Sequence, residues 1–110
     1  MPHYLVQLAY TPEAWANQLK SPQNRIEAVR PAMEKVGARM ESAYFAFGEY
    51  DIVFVMEAPD NKSAAAFALA VAAGGSVKAY KTTPLMTIED GLQALRAASD
   101  VASAYRPPAG

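Results

Sequence analysis

The spacing of polar and apolar residues along the chain changes several times, and each change marks an element. His3–Tyr10 is dense in strand formers and predicts a first strand. Thr11-Pro12-Glu13 follows it: a hydroxyl N-cap, Pro at the first helical position and an acid in the first turn. This predicts a short helix through Leu19. Ser21-Pro22 repeats the start signal. Beyond it Ile26, Val29, Met33 and Val36 recur at helical spacing, with charged residues mostly between them. Pro31 falls inside that helix and is expected to bend it, and Gly37 suits the position just past its end. Arg39–Phe47 and Tyr50–Ala58 predict two further strands. Asp60 is placed to cap a second main helix, AAAFALAVAA, which stops at Gly74-Gly75. Val77–Thr83 predicts a fourth strand. Thr87-Ile88-Glu89-Asp90 resembles a capping box and opens a last helix with Ile88, Leu92 and Leu95 as its apolar stripe. Gly91 weakens that helix by about 1 kcal/mol relative to Ala. Residues 1–98 are expected to form one domain. Residues 99–110 turn small and polar, end in Arg106-Pro107-Pro108, and are expected to be a flexible tail.

The order is βαββαβ with an extra short helix after the first strand and a terminal helix. This is the split βαβ, ferredoxin-like arrangement of an α+β domain. Short, right-handed connections predict a four-stranded antiparallel sheet with both main helices on one face.

The central hairpin sets the faces. Gly48-Glu49 between two strand runs predicts a two-residue type II′ turn with Gly first. That turn places Phe47 opposite Tyr50, Phe45 opposite Ile52, Ala43 opposite Phe54 and Glu41 opposite Met56. This apolar set is expected under the helices. The other face then carries Ala46 with Asp51, Tyr44 with Val53, Ser42 with Val55 and Met40 with Glu57. A sheet covered on one side should be polar on the other, yet here Val53, Val55, Met40, Leu5 and Ala9 fall on the uncovered side. A second copy packed face to face is the expected cover, so a homo-oligomer, dimer or higher, is predicted.

Composition narrows the chemistry. At 110 residues, 52% hydrophobic and 19% charged, the chain has ordinary globular usage. Net charge is −1 and no basic stripe is present, so nucleic acid is not an expected partner. There is no cysteine, and His3 is the only histidine, which rules out thiolate chemistry and a multi-histidine metal site within one chain. No phosphate-binding glycine loop follows a strand, and no cofactor or metal is expected. MPHYLVQLAY lacks the basic start of a secretory signal, and the apolar run Ser63–Ser76 is too short to span a bilayer. A cytoplasmic protein without a membrane partner is the expectation.

Particular residues carry a family resemblance. Gly48-Glu49-Tyr50-Asp51-Ile52-Val53, then Glu57-Ala58-Pro59-Asp60 and the Ala-rich helix ending at Gly74, look like the GYD domain family. Tyr10-Thr11-Pro12-Glu13 and the helix running into Gly37 agree with it, and the likeness covers residues 3 to about 95. Glu49 splits the eponymous letters. The resemblance implies a small ferredoxin-like α+β domain and supplies no catalytic residues. More distantly, the architecture is similar to dimeric α/β barrel proteins, a group that includes cofactor-free monooxygenases, other small-molecule enzymes and ligand-sensing domains.

Two readings stand side by side for each candidate site. Asp51 with Tyr44 suits an acid–base pair, a carboxylate to take a proton and a phenol to donate to an oxyanion. Asp51 equally suits a cap on backbone amides, with Tyr44 packing. His3 has a side chain that titrates near neutrality and is a third catalytic candidate. Trp15 suits either the wall of an apolar pocket or a plug for the core edge. With Gln7, these give Tyr44, Asp51, Trp15 and Gln7 as candidate ligand contacts. Tyr50 and Glu57 read as packing and surface residues, and Lys78, Tyr80 and Lys81 as a solvated edge strand. The favoured reading is a homodimeric domain that binds a small, mostly apolar molecule in or near the sheet interface, as a sensor or accessory. The alternatives are a cofactor-independent enzyme for an enolisable or phenolic substrate, and a purely structural oligomerisation module.

Overall fold

The computed structural model describes residues 1–109. Its elements run β1 (His3–Tyr10), α1 (Pro12–Lys20), α2 (Arg25–Lys35), β2 (Arg39–Phe45), β3 (Ile52–Glu57), α3 (Asn61–Ala73), β4 (Val77–Leu85) and α4 (Ile88–Ala104). The strands form one antiparallel sheet in the order β2-β3-β1-β4, the ferredoxin-like α+β layout. β4 lies at an edge, which is why it tolerates Pro84 within its length.

Local chemistry explains most of the boundaries. Thr11, Asp60 and Thr87 cap α1, α3 and α4, each accepting a backbone N–H three residues on, from Ala14, Ser63 and Asp90. The start of α2 differs from the sequence reading: Asn24, not Ser21, is its cap, with the Asn24 carboxamide oxygen accepting from Ile26 and Glu27 N–H. Ser21 instead closes α1 through its own N–H to the Asn17 carbonyl. Gly37 and Gly75 have φ of +74° and +79° and end α2 and α3 in the left-handed region that suits glycine. α4 continues through Ser99 to Ala104, where a loose tail was expected. Ala97, Ala98, Ala102 and Ala104 are the best of helix formers and carry the helix through this stretch, and Tyr105 ends it just before Pro107.

The core sits between the sheet and helices α2 and α3. Tyr4, Val6 and Leu8 of β1, Ile52, Phe54 and Met56 of β3, Met33 of α2 and Phe67 of α3 are all buried. Phe54 and Phe67 meet edge to face at 6.4 Å, and the buried Tyr4 hydroxyl donates to Asn61 Oδ1 at 2.6 Å. Tyr80, expected at a solvated edge, instead packs against this core. Burial raises its phenol pKa well above the ordinary value, against a smaller downward pull from Thr82.

The hairpin differs from expectation at both ends while its middle agrees. Phe45 pairs with Ile52, Tyr44 with Val53, Ala43 with Phe54 and Ser42 with Val55. Beyond Ser42 a bulge inserts one residue, so that Met40 pairs with Met56 and Arg39 with Glu57. Strict alternation would have put Glu41 under the helices and Met40 outside. The bulge reverses this and avoids burying a carboxylate. At the other end the predicted type II′ turn is absent: Gly48 does not have positive φ. The strands close where Ala46 N–H donates to the Asp51 carbonyl at 2.9 Å, leaving Phe47–Tyr50 as a wider loop. Phe45 and Phe47, expected under the helices, project past the core and are exposed.

α4 stands apart. None of its residues is buried, and Ile88, Leu92, Leu95 and Val101 are exposed. The radius of gyration is 17.9 Å, against about 13 Å for a compact chain of this length. Among the described residues no helix is long and apolar enough to cross a membrane.

Candidate functional site

β3 begins at Ile52, opposite Leu8 and two residues short of a ladder partner for Tyr10. Asp51 supplies the acceptor: its Oδ2 takes the Tyr10 N–H at 2.9 Å and the Trp15 Nε1–H at 3.3 Å, while its own N–H donates to the Leu8 carbonyl at 2.8 Å. Trp15 stands edge to face on Tyr10 at 5.2 Å. One carboxylate therefore ties β1, β3 and α1 together at this end of the sheet.

The open face of the sheet reads in cross-strand rows. Tyr44, Val53, Gln7 and Lys81 form one row, Ser42, Val55, Leu5 and Thr83 the next, and Arg39, Glu57, His3 and Leu85 the last. Leu5, Gln7, Val53 and Val55 are half-buried and Tyr44 is exposed. In the last row Arg39 Nε donates to Glu57 Oε2 at 2.7 Å, and His3 lies 2.8 Å from Glu41 and 3.9 Å from Glu57. The bulge is what swings Glu41 to His3. The Arg39 hydrogen bond holds the Glu57 carboxyl below its ordinary pKa, and Glu57 in turn raises that of Arg39. His3, Glu41 and Glu57 place potential metal-ligand atoms within 4.8 Å of one another, but with Arg39 already on Glu57 the set is a charge network.

Of the three catalytic candidates, Tyr44 pairs with Val53, two residues along the chain from Asp51, and His3 lies apart. His3 lies opposite Glu57, six residues along from Asp51, or about 20 Å of strand. No hydrogen bond joins Tyr44 to Asp51 or to His3 among the described residues. Trp15 and Asp51 meet each other, and Gln7 and Tyr44 share a row on either side of Val53.

A cleft that the sequence did not suggest lies on the helix side. Ile26 and Val29 of α2, Phe67 and Val71 of α3, and Leu8 and Ile52 of the sheet line an apolar cavity of about 210 Å³. Tyr10, Arg25 and Ser76 stand at its end and also border a second, polar space of about 170 Å³ walled by Asn17, Gln18 and Gln23. A shallower groove of about 530 Å³ runs between α2 and β2, past Met40, Ala43, Tyr44 and Phe45. The alanine-rich α3 contributes only Phe67, Ala70 and Val71 to the wall of the apolar cavity, small cover for the space over the end of the sheet. Burial pushes the Tyr10 phenol pKa up; the nearby Arg25 guanidinium pulls it part of the way back, and Asp51 adds a small upward push.

A model of the GYD domain matches residues 4–95, and the chain belongs to that family. No curated protein sequence matches it. Among solved structures, MtbAldR is similar over 78% of this chain, with a TM-score of 0.60 and 16% identity. The chain spans about half of that protein, 52% of its length. A hypothetical protein from Pyrococcus horikoshii is similar over 79% of this chain and 92% of its own, with a TM-score of 0.51 and 14% identity. At such identities the likeness is one of fold.

Proposed function

We propose that this GYD-family domain binds a small, mostly apolar molecule in the cleft between α2, α3 and the sheet. The observation that carries this reading is the cavity of about 210 Å³ walled by Leu8, Val29, Phe67 and Val71. Protein interiors are normally packed without voids of that size, and an apolar cavity of about 150 Å³ already accepts a benzene-sized guest. The cleft lies under the helices and not between two sheets. His3 lies far from Asp51 along the sheet, and the Asp51 carboxylate is taken up by Tyr10 N–H and Trp15 Nε1–H, which favours binding over catalysis. Hexanol, titrated into the labelled protein, should shift the NMR signals of Val29, Phe67 and Val71 in a saturable way. Signals that stay still up to the solubility limit of hexanol would remove this reading.

A second reading concerns assembly and rests on the open face. Leu5, Val53 and Val55 form a contiguous apolar patch there, and no element among the described residues covers it. We propose that a second copy does, as a homodimer. In that arrangement Val53→Lys would place a charge in a closed interface at a cost of several kcal/mol. Light scattering should then give a dimer for the parent chain and a monomer for the variant. A parent chain that is a monodisperse monomer at micromolar concentration ends the proposal.

A further inference from the structure

We propose that the molecule held in the helix-side cleft is a small carboxylic acid, with its apolar tail in the 210 Å³ chamber and its carboxylate against Arg25 and the Tyr10 hydroxyl. The proposal rests on the cleft being a binding site, and adds the chemistry of the head group.

The argument starts from the two spaces that meet at Tyr10, Arg25 and Ser76. One is walled by apolar side chains and the other by the amides of Asn17, Gln18 and Gln23. A guest spanning that junction is apolar at one end and polar at the other. The sign of its polar end follows from the charges present. Arg25 is half-buried; its Nη1 donates to the neutral Gln23 Oε1 at 3.2 Å, and its guanidinium also lies against the Tyr10 phenol. Arg30 and Arg39, by contrast, each hold a glutamate, at 3.0 and 2.7 Å. No carboxylate lines either space. Asp51, close enough to Tyr10 to raise its phenol pKa slightly, is directed at Tyr10 N–H and Trp15 Nε1–H. Arg25 is therefore a half-buried cation that makes no ion pair among the described residues, at the mouth of an apolar chamber. Glu27 and Glu41 lie along the separate groove between α2 and β2, where Glu27 is held by Arg30 and Glu41 lies beside His3.

A guanidinium presents a planar fork that matches a carboxylate in a two-point contact. The Tyr10 phenol is protonated at neutral pH, as any tyrosine is, and can donate a third hydrogen bond. One cation balances one negative charge, which favours a monocarboxylate over a phosphate dianion. An amine would meet Arg25 with like charge and is excluded.

Hexanoate and hexanol share a tail and differ in the head, so the pair separates the two claims in the intact chain. Monitored by NMR titration, hexanoate should bind at least about tenfold more tightly than hexanol, the ratio expected of a charge-assisted contact. Arg25→Gln should erase that preference, bringing the two affinities together. Equal affinity for the two in the parent chain, or an unchanged hexanoate preference in Arg25→Gln, overturns the carboxylate assignment while the cleft itself stands. No binding by either probe overturns both.

Discussion

Neighbouring residues of β3 lie in two different environments. Ile52, Phe54 and Met56 face the helices and are buried to within 3% of complete exclusion from solvent. Val53, Val55 and Glu57 alternate with them on the far side, where they are only half-buried and no element lies above them. The residues on the two faces are comparable in strand propensity, so the difference comes from what covers them. On the helix side the hydrophobic gain is realised within one chain. On the open side part of it is left for a partner to supply. A strand pattern alone reports which residues share a face, but does not say whether the face is closed by the same chain or by another.

The contrast is broken most sharply by truncation. Phe54→Ala removes the ring that meets Phe67 and should cost about 3–5 kcal/mol. Val53→Ala, next to it in sequence, should cost about 1 kcal/mol or less in the isolated chain. Urea denaturation of both variants measures the difference, and equal costs would mean that the open face is already as well packed as the core.

Asp51 comes next, because it lies where the faces meet the sheet end. Asp51→Ala leaves Tyr10 N–H and Trp15 Nε1–H without an acceptor and should cost about 2 kcal/mol. Asp51→Asn keeps a carbonyl acceptor and should lose less. A neutral Asp51→Ala would show that water replaces the carboxylate at no cost.

At Asp60 the effect is smaller and depends on pH. The Ser63 N–H at the start of α3 holds this carboxyl below its ordinary pKa. A depressed folded pKa contributes stability above the unfolded value, and the contribution disappears as pH falls through the folded one. Asp60→Asn keeps a cap but not the charge, so the parent's advantage over it should be present at neutral pH and fade in acid. A difference that is flat across that range would sink the assignment. The smallest effect belongs to Gly48→Val. Gly48 lacks positive φ and a Cβ there meets no atom within 4 Å, so the denaturation midpoint should not move.

The helix starts at Thr11, Asp60 and Thr87 were legible because a cap is a contact between residues three apart. The middle of the hairpin was legible because Phe45, Ala43, Ile52 and Phe54 share one period. The bulge at Glu41 was hidden by assuming strict alternation, although Met40-Glu41 in that order was the warning: alternation alone placed an acid inside and a methionine outside. The wide loop at Phe47–Tyr50 depends on Asp51 reaching Tyr10 and Trp15, partners 41 and 36 residues away in the chain, which no local turn rule contains. The cleft was missed for the same reason, since its wall draws on residues from Leu8 to Val77. One signal was present: Arg25 opens α2, where the helix dipole favours an acid.

α4 carries a thermodynamic consequence. With 17 residues and no buried side chain, it is about 26 Å of helix held by little beyond its own hydrogen bonds. Isolated helices of that length are marginal in water and melt gradually, without the sharp cooperativity of a packed core. The chain therefore does not unfold as one two-state unit while α4 is uncovered. Circular dichroism at helical wavelengths should slope steadily downward on heating before the sheet and its helices give way together. Any partner that covers α4 would merge the two processes into one transition, so the shape of the melting curve reports the association state before any mass is measured.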